Sequence, residues 1–187
     1  MEAGNLALKK RYTYADYATW DDDTRWELID GVAYAMSAPT MTHQGVSGNI
    51  FYQFRNYLRG KPCRVYMAPY DVRLNFDKGD DTVVQPDITI VCDPKKRDEK
   101  GCLGAPDLVV EVISPSTTKM DMIAKHKKYL QAGVKEYWIV KPDIYSVLVY
   151  VLKDGAYTTD VYEDTEKVSV SVLPGCEINL AEIFDEI

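Results

Sequence analysis

Apolar residues recur along this chain with two different periods. Between about Thr42 and Arg59 they stand four apart, at Val46, Ile50, Phe54 and Leu58, which is one buried stripe of an α-helix. Elsewhere short β-branched runs dominate: CRVYMA, DVRLNF, VVQPDITIV over Val83 to Val91, PDLVVEVIS over Pro106 to Ser114, and VKEYWIVKP closed by Pro142. Each of these reads as a strand, and Pro115 biases Ser114 toward extended geometry and ends its run. WELI and VAYAM flank Asp30-Gly31, a short hairpin signal. Thr13 followed by Asp16 suits a capped helix start running to about Trp20.

A further helix is expected from about Lys119 to Ala132, stopped by Gly133, with Met120, Ile123, Lys127 and Leu130 along a mostly apolar stripe. After it, SVLVYVL, Ala156 to Tyr162 and Lys167 to Val172 read as strands, and NLAEIF as a short helix capped by Asn179. No repeat, linker or low-complexity tract interrupts the order. It predicts an α/β (α+β) fold, a mixed central β-sheet flanked by helices, in a single domain over residues 1–187.

Composition narrows the classes. With 187 residues and 46% apolar content the chain is no disordered segment. No apolar run approaches the roughly 18–20 residues of a spanning helix, and MEAGNLALKK carries no secretory pattern. A cytoplasmic protein with no membrane partner is expected. The net charge of −7 and a pI of about 4.9 repel nucleic acid at long range, so such a partner needs a local basic patch. Arg55, Arg59, Lys61 and Arg64 supply one candidate, which a solvated surface explains as readily. Cys63, Cys92, Cys102 and Cys176 form no CxxC pair and read as free thiols. Only His43 and His126 are present, so a metal site here is built from carboxylates.

Two carboxylates stand out. Asp87 follows a proline at the start of a strand, and Glu111 lies 24 positions later inside Leu108-Val109-Val110-Glu111-Val112-Ile113. An acid there is costly to desolvate unless a cation or hydrogen bonds hold it. By alternation Glu111 shares a face with Val109 and Ile113. Acids on one face of neighbouring strands can share a divalent ion. The plainer readings are a lysine-paired sheet-end Glu111 and a strand-starting Asp87. In the following helix Asp121, Lys125 and Tyr129 line one face at four-residue intervals. A lysine facing the acids can orient a water or offset charge on a phosphoryl oxygen. Alternatively, Thr118 with Asp121 forms a capping box and the lysines a solvated face.

ELIDGVAY, the helix opened by His43, QPDITIV, APDLVVEVISPST, Asp121, Lys125 and QAGVKEYWIV together closely resemble the Uma-two family. These are bacterial restriction-type endonucleases with the PD-(D/E)XK nuclease fold. The resemblance runs from about Tyr12 to Pro142 and is most specific from Pro106 to Val140. It implies a metal-dependent DNA endonuclease in which Asp87 and Glu111 hold Mg²⁺, with Mn²⁺ as a substitute. The superfamily's usual lysine position falls on Ile113, a departure, and the resemblance places the lysine at Lys125. Glu27 matches a recurring acid that can complete the metal shell, and His43 a recurring histidine. Cutting both strands of a duplex implies a homodimer. The rival reading is a non-catalytic scaffold that keeps the fold for nucleic-acid or protein binding, favoured by Ile113 and the acidic charge. A Ser or Cys nucleophile finds no support, since no Gly-x-Ser-x-Gly occurs.

Overall fold

A computed structural model describes residues 10–113 and 120–185. The expected strand end at Ser114, the helix start at Lys119, Thr118 and the side chain of Asp121 lie outside the described residues. The first half of the chain forms α1 (Tyr14–Tyr17), β1 (Trp26–Ile29), β2 (Val32–Ala35), α2 (Met41–Tyr57), β3 (Arg64–Met67), β4 (Val72–Arg73), β5 (Val83–Val84) and β6 (Ile88–Val91). Next come β7 (Arg97–Asp98), β8 (Gly101–Leu103), β9 (Leu108–Val112), a π turn (Met120–Lys125) and α3 (His126–Ala132). The chain ends in β10 (Glu136–Lys141), β11 (Ser146–Lys153), β12 (Ala156–Glu163), β13 (Lys167–Ser169), β14 (Glu177–Asn179) and α4 (Leu180–Ile183).

The mixed sheet has the order β12-β11-β10-β9-β6-β3, with β9 and β10 parallel and the other pairs antiparallel. On one face, Leu108, Val110 and Val112 meet Val46, Ile50 and Phe54 of α2. Phe54 also touches Trp138, ring centres 5.7 Å apart. The four-residue stripe is thus the helix surface that seals this core. On the other face Val109, Tyr137 and Ile139 pack with Tyr129 of α3 and with Val72, Val84 and Cys102. Those last three belong to a second sheet, β2-β1-β5-β4-β8-β7. The parity expected for β9 is therefore realised, with Glu111 on the Val109 side.

Several expectations change. The run Val83–Val91 is not one strand. Gln85-Pro86-Asp87 divides it, β5 joins the second sheet and β6 the first, because Pro86 lacks an N–H and cannot carry the ladder through. The first helix stops at Tyr17, although its Thr13–Asp16 box forms. Ile123 is exposed, so the apolar stripe expected along its helix is broken there. The last strand run ends at Ser169 rather than Val172. Cys63 and Cys92 are not free thiols but a disulfide. The β3–β6 register pairs Arg64 with Val91, and one step further sets the two cysteines opposite each other. Cys102 and Cys176 are free and buried.

Two glycines are required by geometry. The β1–β2 hairpin turns through Asp30 (φ 51°) and Gly31 (φ 73°), both left-handed as a two-residue hairpin loop demands. At the β7–β8 turn Gly101 has φ 143°, and a Cβ there would stand 2.1 Å from the Asp71 carbonyl oxygen. That oxygen accepts the Cys102 N–H at 2.8 Å. Gly101→Ala is expected to lower stability by about 1–3 kcal/mol, read as a lower urea midpoint. A midpoint equal to the wild type's would show that the turn relaxes without cost.

Candidate active site

The site grows out of the point where the long β run breaks. β6 and β9 pair Ile88 with Val110, and one step along that register sets Asp87 opposite Glu111, within reach of a shared ligand. Asp87 Oδ2 accepts the Val112 N–H at 2.7 Å, so the carboxylate takes a backbone donor just past the last ladder pair. The same oxygen lies 3.1 Å from His43 Nε2. His43 stands in the first turn of α2, where Thr40 Oγ1 caps the helix by accepting the His43 N–H at 3.2 Å. The helix cap thereby places the imidazole over the strand.

Glu111 lies inside. Its Oε1 accepts from Lys125 Nζ at 3.0 Å and from the Tyr129 hydroxyl at 2.6 Å. Lys125 also pairs with Glu27 Oε1 at 2.9 Å, and that oxygen accepts the Gln85 N–H at 2.7 Å. All three charged groups are nearly inaccessible: Lys125 is 3% exposed, Glu111 4% and Glu27 5%. One ammonium is thus shared between two buried carboxylates, and each carboxylate has a further fixed donor, as buried charge requires. Burial, with the Glu111 charge beside it, holds the Tyr129 hydroxyl well above its ordinary pKa. It stays a proton donor to Glu111 at any physiological pH.

Lys125 and Tyr129 meet the same oxygen, so the face inferred from their four-residue spacing exists, although Lys125 closes a π turn rather than an α-helical one. Ile113, at the superfamily's usual lysine position, packs against the apolar core beneath the second sheet. Glu27, His43, Asp87, Glu111 and Lys125 all line a single cavity of about 420 Å³, together with Arg25. The five residues singled out in the sequence are therefore neighbours.

The basic cluster is not. Arg55 to Arg64 lies at or beyond the last turns of α2, and Arg55 alone is roughly 18 Å along the axis from His43. Sequence reasoning missed three contributors. Gln85 holds Glu27 through its N–H, and Arg25 donates to the Gln85 side chain at 2.8 and 3.1 Å. Tyr129 stands on the expected face, but only its contact reveals that it holds Glu111. Among the described residues no group of three or more His, Cys, Asp or Glu is placed to hold a metal ion by itself.

A mixed sheet flanked by helices is a nuclease-like fold, and here it brings opposed acids on adjacent strands beside a buried lysine. The chain belongs to the Uma2 family, described as "Putative restriction endonuclease", whose model matches residues 14–181. It is 28% identical over 142 residues to the uncharacterized protein slr1290 of Synechocystis sp., covering 74% of this chain and 73% of that protein. Its fold matches a crystal structure described as "a putative nuclease belonging to DUF820" from Anabaena variabilis, with a TM-score of 0.75 and 19% identity. That match covers 92% of this chain and 97% of the other. No helix among the described residues is long and apolar enough to cross a membrane.

Proposed function

We propose that this cavity hydrolyses phosphodiester bonds of DNA as an endonuclease dependent on a divalent cation, with Mg²⁺ the natural ion and Mn²⁺ its substitute. The observation that carries the reading is the register that opposes Asp87 to Glu111 at the wall of a cavity that also receives Lys125. The donor set fits such a cation. Two carboxylates offer hard oxygen ligands, and Mg²⁺ characteristically takes one or two carboxylates, keeps several waters and accepts substrate phosphate. Asp87 and Glu111 would hold it, and the chemistry it supplies when bound is charge at the scissile phosphate and a more acidic water.

The chain's own groups do the rest. Val112 N–H and His43 fix the Asp87 carboxylate. Tyr129 and Lys125 both bind Glu111 Oε1 and so orient the group. The Lys125 ammonium is positioned to orient the attacking water and to offset negative charge gathering on the phosphoryl oxygens. Glu27 holds that ammonium from the other side, which keeps it aimed.

Calorimetric titration with Mn²⁺ into the millimolar range tests this without a guess at the DNA sequence. Binding is expected in the wild type and absent in Asp87→Ala. No specific binding in the wild type, with an uncleavable oligonucleotide also present, would favour the non-catalytic scaffold.

A further inference from the structure

A second cavity, about 370 Å³ in volume, lies beside the first and shares Arg25 and Gln85 with it. That volume is within the range of small-molecule sites. Its walls come from one stretch, with Tyr17 at the end of α1, Trp20 in the loop after it and Trp26 in β1, and from Asp71, far along the chain just before β4. The rings form a connected set. Trp20 meets Trp26 at 5.7 Å and Tyr17 at 5.6 Å between centres, both edge-on. Asp22 accepts the Trp26 indole N–H at 3.0 Å, fixing that ring. Lys100 adds a cation at the rim.

The polar groups converge at one point. Asp71 Oδ1 accepts the Tyr17 hydroxyl at 3.0 Å and Gln85 Nε2 at 2.8 Å. Both bonds fall on Oδ1, and Oδ2 takes no hydrogen bond among the described residues. The same Gln85 donates its backbone N–H to Glu27 in the catalytic cavity. Gln85 therefore reaches both sites, and Arg25, bonded to its side chain, lines both cavities with it.

We infer that this second cavity is a nucleobase subsite that receives an unpaired nucleotide of the substrate, stacking its base on the Trp20–Trp26 wall and reading an exocyclic amino group through Asp71. The inference rests on the nuclease reading above and specifies its substrate class as DNA with a single-stranded or splayed-out nucleotide next to the cut. Aromatic faces bind any unpaired base. An ionised carboxylate only accepts hydrogen bonds, so it favours an amino-bearing edge such as that of cytosine over thymine, whose single edge N–H is flanked by two carbonyl oxygens that repel it. Arg25 and Lys100 suit the flanking phosphates, and Arg25 stands between the two cavities, where a strand would pass from one to the other. A base held in a paired duplex cannot enter such a pocket without leaving its stack.

The test is fluorescence anisotropy of labelled oligo-dC and oligo-dT of about ten nucleotides, in EDTA so that no cleavage intervenes. Oligo-dC is expected to bind about tenfold more tightly than oligo-dT, and both more tightly than duplex. Trp20→Ala should weaken both by about tenfold. Because Trp20 also packs on the small core of Tyr14, Leu28 and Val83, the second variant is Asp71→Asn. Its amide oxygen still accepts from Tyr17 and Gln85 while the other position becomes a donor, so the preference for dC should vanish with the fold intact. No binding in the millimolar range, equal binding of dC and dT, an unaltered preference in Asp71→Asn, or tighter binding of duplex would each overturn the subsite. Failure of the wild type to cleave any DNA in Mg²⁺, with the base preference intact, would overturn the nuclease reading and leave the subsite standing.

Discussion

Replacing Lys125 with methionine is expected to cost the fold about 3–5 kcal/mol and to abolish cleavage. The ammonium lies 2.9 Å from Glu27 and 3.0 Å from Glu111, and neither acid is more than 5% exposed. Methionine fills a similar volume but leaves two carboxylates facing each other out of water. Breaking a buried pair by removing one partner carries a penalty of about that size. For a chain of this length the shift in melting temperature is on the order of 10 °C, readable in a thermal scan at neutral pH. Adding Glu27→Gln should restore part of the stability, because one of the stranded charges is gone, and none of the activity. A Lys125→Met protein that melts with the wild type would show that the two acids need no ammonium between them.

The second large effect is chemical rather than structural. Glu111→Gln keeps an oxygen that can accept from both Lys125 and Tyr129, the two donors that Oε1 holds at 3.0 and 2.6 Å. The variant should therefore fold with nearly unchanged stability. It removes the negative charge and turns one ligand oxygen into an amide nitrogen, which has no affinity for a hard cation. Cleavage in Mg²⁺ should fall by about a hundredfold or more, measured as nicking of supercoiled plasmid against time. Full activity with Gln at this position would mean that the cation is held elsewhere and that Glu111 serves only to bury Lys125.

Much of this site is readable in the chain because it breaks local rules. Glu111 sits among Val109, Val110, Val112 and Ile113, and an acid in an apolar strand signals a specific partner whatever the fold. Lys125 and Tyr129 declare a common face by spacing alone. Asp30-Gly31 and the Val46-Ile50-Phe54 stripe are equally local, and the hairpin and α2 form where they stand. The hidden parts depend on contacts between remote segments. Cys63 and Cys92 are 29 residues apart, and only the pairing of β3 with β6 makes them neighbours. The division of Val83–Val91 lies in Pro86, whose effect on a strand depends on whether a ladder partner needs its N–H. Gln85 looks like an ordinary polar residue until the fold sets Glu27 on one side of it and Asp71 on the other. The aromatic wall of Tyr17, Trp20 and Trp26 likewise has no meaning before α1 and β1 come to lie against Asp71.

The π turn over Met120–Lys125 has a bearing on how this lineage can vary. A π turn holds one residue more than an α turn spanning the same rise, so it absorbs an insertion without displacing α3. Deleting one residue there would let the segment rewind as α-helix with α3, and hence Tyr129, still in register. Without that rewinding, the loss would turn Lys125 and α3 together by about 100° about the axis, taking Tyr129 as well as the lysine away from Glu111. The count of residues from Glu111 to Lys125 can thus drop by one in a variant of this chain without moving Tyr129. A motif of fixed spacing would miss such a variant.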